Sequence, residues 1–250
     1  MASRLDFLVA LVLGIGPAIA ILWFSLRRYD RPFVDRTLFD DRRVFGSLAV
    51  GMGFGVASSW LNFSIGVSDI VGSLLLLASV ILFEELFKLV YLNRRGYRER
   101  FDTTFYGIPL GVGTASTAIV ATVAWQVGEA LYSAIVFPLI VLLSISLSFV
   151  HADTGALIGF GASRGDLWGG FRKALLVRLA HVALLSPFLL LGGQVAKPDT
   201  LLPAVLSLLT SAAFAILVYH YVYTVLLPGT LPEALRRELR KEKRARPVRP

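Results

Sequence analysis

The chain has no cysteine, which excludes disulfides, thiolate nucleophiles and cysteine-ligated metals. Only three histidines are present, and none falls in the His-Glu-x-x-His pattern that sets two zinc ligands on one helix face. Charge is thin, at 17% of residues, and no polar stretch is long enough to be a soluble domain. What fills the chain is apolar. Hydrophobic residues make up 56% of 250, above the roughly 45–50% usual for soluble domains, and mean hydropathy is +0.70. These values describe an integral membrane protein.

A spanning helix needs about 20 largely apolar residues. Such runs lie at about 5–26, 44–62, 68–92, 103–125, 137–161, 174–193 and 201–227. The expected fold is an all-α polytopic bundle of about seven transmembrane helices, six being possible. Long apolar runs favour helices over a barrel, because each backbone amide must be paired inside lipid. The first run is too long for a removable signal and lacks a small-residue cleavage site, so it is expected to be retained. Residues 1–232 then form one membrane domain and 233–250 a basic tail.

The net charge of +8 is concentrated in loops 27–43, 93–102 and 162–173 and in the tail. With seven spans these share one side, which predicts an outside N-terminus and a cytoplasmic C-terminus in the cell membrane. This charge reads as topological, with anionic lipid headgroups the expected partner of the tail and no nucleic acid expected.

Against this background, "FEELFKLV" sets Glu84, Glu85 and Lys88 inside a span. Intramembrane ionisable residues are costly and usually face the bundle interior. At 1.5 Å per residue, Glu84 lies about 15 Å from the basic boundary, His151 about 19 Å and His181 about 12 Å, so three helices deliver ionisable groups to one layer. Lys88 is three and four residues from the two glutamates, within reach of either. Two carboxylates against one cation predict that one holds a proton, the unequal pair that acid-base chemistry uses. Arg178 can snorkel to the surface and is assigned no role. Glycines four apart, Gly107 with Gly111 and Gly155 with Gly159, mark close helix contacts, and Gly155 suggests that the histidine helix packs on the glutamate helix.

These residues resemble the PrsW family of intramembrane proteases, related to the CAAX-protease and bacteriocin-processing membrane enzymes. The likeness runs over about residues 67–190 through "EELFK", "FDTTFYGIPLGVGTAS" and "HADTGALIGFG". It implies a protease-like core with Glu84, Glu85, His151 and His181 catalytic, and Lys88, Asp102, Tyr106 and Gly155 supporting. Two positions depart from the family pattern: Ala118 and Ile119 stand where a Glu-Asn pair is usual, and Leu185 where an Asp or Asn follows the second histidine. The implied function is a glutamate-dependent endopeptidase acting on a single-pass membrane protein of the anti-sigma-factor kind. Glu84 or Glu85 would activate water beside His151, which requires one of them within about 7 Å of that histidine. A pseudoprotease that binds a membrane partner, and a proton-coupled transporter or channel, remain alternatives. No cofactor is expected; a zinc variant would use Glu84, Glu85, His151 and His181.

Overall fold

Asp40 and Asp69 begin two of the long helices by accepting the backbone N–H groups of Arg42 (2.9 Å) and Gly72 (2.7 Å) on their side chains, the usual way of satisfying a helix's first free amides. The computed structural model describes residues 4–31, 34, 36–65, 69–191 and 197–245. Among these, every regular element is helical: α1 (Arg4–Leu26), α2 (Asp41–Ser64), α3 (Ile70–Leu92), α4 (Thr103–Thr122), α5 (Val136–Arg164), α6 (Leu167–Leu191) and α7 (Pro198–Tyr221). Among the described residues, seven helices are long and apolar enough to cross a membrane. The protein is a multi-pass membrane protein. A π turn, Val222–Leu226, and a short helix, Leu227–Thr230, carry α7 onward, and α8 (Glu233–Ala245) begins the tail; tail residues 246–250 lie outside the described residues.

The basic loops gather at one end. There Arg43 donates to the carbonyl of Gly96, Arg164 to that of Gly229, and the Glu99 amide to that of Ala162 (3.0 Å). The stretch 162–173, expected to be a loop, is largely helical. Gly165 takes the left-handed φ of +75° that ends α5, a conformation glycine adopts without a Cβ penalty. Asp166 then caps α6 through the Gly169 amide at 3.0 Å, so the turn needs only two residues.

α4 is the central helix, buried along nearly its whole length, with α1, α2 and α5 packed around it. A Cβ added at Gly107 would strike the Gly155 carbonyl oxygen, one at Gly155 the Gly107 carbonyl, and one at Gly111 the His151 carbonyl. The glycine face of the histidine helix therefore packs on α4, not on the glutamate helix as expected from Gly155. Spacing identifies a face that permits close approach, and the partner is whichever helix offers matching small residues.

Gly111→Ala should accordingly lower the unfolding temperature in detergent, because the new methyl meets backbone that cannot rotate away. Gly53→Ala, with open space at its Cβ, should match or exceed wild type, by at most about 1 kcal/mol from helix propensity. Equal behaviour of the two variants would contradict the packed seam.

α3 is attached differently. Its buried residues begin at Val80, while Ile70, Val71, Leu74 and Leu75 in its first half are 45–67% exposed. Only the half that bears the charges is built into the bundle.

Candidate functional site

On the inner half of α3, Glu84, Glu85 and Lys88 are 4%, 0% and 0% exposed, whereas Leu82, Phe83, Leu86 and Val90 point outward. This split follows from the 3.6-residue period: positions 84, 85 and 88 share a face and 82, 83, 86 and 90 fall outside it. Lys88 Nζ bonds Glu85 Oε1 at 2.7 Å, Thr154 Oγ1 at 2.7 Å and His151 Nδ1 at 3.4 Å. An ammonium has three donors, and here each has an acceptor. Because Nδ1 of His151 receives a bond, its remaining proton belongs on Nε2, and Nε2 lies 3.8 Å from Glu84 Oε2.

Glu84 is held from two further helices. Ser58 of α2 donates to Oε1 at 2.8 Å and Arg178 of α6 to Oε2 at 3.1 Å. Arg178 is 6% exposed. The expectation that it snorkels to the surface is thus reversed: its backbone lies nearer the basic end than Glu84, and the side chain reaches inward. A buried carboxylate offers a charge-assisted partner worth more than a hydrated surface position reached along an apolar path. The layer contains two carboxylates and two cations, Glu85 with Lys88 and Glu84 with Arg178. The count expected from sequence, two carboxylates against one cation, thus becomes two against two.

Of the residues singled out from sequence, Glu84, Glu85, Lys88 and His151 come together. His181, 0% exposed, stands beside this group without touching either carboxylate; its Nε2 pairs with Ser146 at 2.8 Å, and Ser146 with Ser211 of α7 at 3.3 Å. Asp153, two residues after His151, is turned about 200° around α5; it is buried, and neither oxygen has a hydrogen-bond partner among the described residues. Gly155 belongs to the seam with α4. Ala118 lies seven residues beyond Gly111 on the same face, about 10 Å away along the axis, and is half-buried. Leu185 is 2% exposed in apolar packing.

Asp102 and Tyr106 lie apart from the layer, in a clasp at the basic end. Tyr106 donates to Asp102 Oδ2 at 2.8 Å and receives the Asp40 amide at 3.0 Å, while Arg100 grips both Asp102 oxygens at 3.0 and 2.8 Å. Burial raises the Asp102 pKa, but the Arg100 and Tyr106 bonds overcome it and hold this carboxyl below its ordinary value. The stability this adds is whole above the ordinary aspartate pKa of about 3.9 and is lost as pH falls through the lowered value. Unfolding temperatures in detergent between about pH 5 and 3 should drop for wild type more than for Asp102→Asn; parallel curves would remove the clasp from the stability balance.

Besides Arg178, two members of the site were not anticipated. Ser58 lies in the small-residue stretch "GVASS", where nothing distinguishes a hydrogen-bonding serine from a packing one. Thr154 is one turn from His151, a spacing that offered a signal. The pairings also bear on metal binding. Lys88 and Arg178 occupy one oxygen of each glutamate, His181 is turned to Ser146, and among the described residues no three histidine or carboxylate side chains group as metal ligands. As paired here, Glu84, Glu85, His151 and His181 do not group around one point. No family model, curated protein or solved structure matches the chain.

Proposed function

We propose that the protein is a glutamate-dependent intramembrane endopeptidase acting on a membrane-spanning segment of another protein, a single-pass substrate of the anti-sigma-factor kind. The observation that supports this reading most directly is the 3.8 Å separation of Glu84 Oε2 and His151 Nε2. A water about 2.8 Å from each could bond both. Glu84 is the general base, because it faces the histidine while Glu85 is engaged by Lys88. His151, with its proton on Nε2, donates to the water oxygen and aims a lone pair at the peptide carbonyl. Lys88 fixes that tautomer and Ser58 orients the carboxylate. The sequence resemblance to PrsW-type proteases supports the same assignment. The basic end is read as cytoplasmic in the cell membrane, with the arginines of α8 attracted to anionic headgroups.

A second reading, binding without cleavage, is favoured by Leu185, which is closed into apolar packing where a polar group would extend the layer. One experiment separates the two. Purified protein in liposomes is given a panel of fluorescent single-span peptides; fragments from wild type and none from Glu84→Gln support proteolysis. Peptide capture that is fragment-free and unchanged by Glu84→Gln supports binding alone.

A further inference from the structure

Arg178 has more bonding capacity than its visible partner uses. Nη2 donates to Glu84, yet Nε and Nη1 are buried with no acceptor among the described residues. Open buried donors are rare in native interiors and call for a use. One turn further along α6, His181 Nδ1 is buried and open as well.

The location of the arginine's open donors follows from a shared atom. Glu84 Oε2 faces both Arg178 Nη2 and His151 Nε2, so a water held between Glu84 and His151 has the guanidinium group as a near neighbour. A carbonyl carbon attacked by that water brings its oxygen into the same neighbourhood. Lys88 is not available there, since its three donors are taken. The face ends at Leu185, so Arg178 and His181 carry its polar stretch.

We propose that Arg178 is a catalytic residue: one of its open guanidinium nitrogens receives the scissile carbonyl oxygen of a membrane-embedded peptide and holds the oxyanion formed on attack. This rests on the proteolytic reading. In the first step one water proton passes to Glu84, the water oxygen bonds the carbonyl carbon, and the carbonyl π pair moves onto the oxygen facing Arg178. On collapse that pair re-forms the double bond, the C–N bond breaks, and the amine leaves with the proton from Glu84. A planar cation aimed at the charge that develops is the kind of group that acts more strongly in the transition state than in the bound substrate.

The test uses full-length protein in liposomes, a cleavable single-span peptide, and the same peptide with a phosphinate in place of the scissile amide. Arg178→Gln should lower kcat by about 10²- to 10³-fold, as loss of an oxyanion donor does, with KM within about threefold of wild type. It should also abolish the tighter binding of the phosphinate peptide, a difference that a merely structural arginine would not affect. Should Arg178→Gln alone fail to fold, the charge-neutral pair Glu84→Gln with Arg178→Gln is compared with Glu84→Gln alone; only the single variant should prefer the phosphinate. Undiminished preference after loss of Arg178, in either background, overturns the assignment while wild-type cleavage keeps the proteolytic reading. A wild type that neither cleaves the peptide nor prefers the phosphinate overturns both.

Discussion

Glu84→Gln should reduce peptide turnover by about 10²- to 10⁴-fold, the usual contribution of a general base, with little change in fold. Glutamine is the informative replacement because its amide oxygen can still accept from Arg178 while its NH2 donates to the Ser58 hydroxyl, so the three-helix junction at this residue keeps two hydrogen bonds. Glu85→Gln should be milder, since its engaged oxygen bonds Lys88 and not His151. The measurement is initial rate on the reconstituted protein, with retention on a sizing column as the fold check. Equal rates for Glu84→Gln and wild type would reject the assigned base. A deeper loss for Glu85→Gln would exchange the roles of the two carboxylates.

The second large effect concerns stability. Lys88→Met leaves Glu85 wholly buried and without its cation, and breaking such a pair costs about 3–5 kcal/mol in buried settings. The Glu85→Leu, Lys88→Met double variant removes both charges together, and well-packed apolar replacements of a buried pair are often neutral or better. Unfolding in detergent should therefore rank wild type and the double variant close together with Lys88→Met far below. A cycle in which the two substitutions simply add would mean that the pair is not coupled, contrary to its 2.7 Å bond.

Much of this site was legible in the sequence, and the reason is geometric. The apolar runs mark the spans, and the fixed rise of an α-helix converts distance from a basic loop into depth, which brought Glu84 and His151 to one level before any contact was known. Depth arithmetic works for backbone and short side chains. It fails for Arg178, whose long side chain can reach as far inward as outward; only the presence of a buried carboxylate on another helix decides the direction. Nor does a one-dimensional pattern say which helices touch. Gly155 announced a close contact correctly but not its partner. Asp102 and Tyr106 follow Lys88 within a short stretch, yet the loop 93–102 keeps them at the bundle end.

The glycine seam and the half-attached α3 together divide the molecule's tolerance to change. His151 is held by backbone contact with α4, so its height in the bilayer is set by atoms that no rotamer adjusts; enlarging residue 111 or 107 displaces the histidine itself. Glu84 is held by charge and hydrogen bonds from α2 and α6, and the first half of α3 meets mainly its surroundings. Substitutions there that exchange one apolar side chain for another should pass almost unnoticed, while single-methyl changes along α4 should not. Drift in this protein is therefore expected to accumulate on one wall of the site and to be almost forbidden on the other.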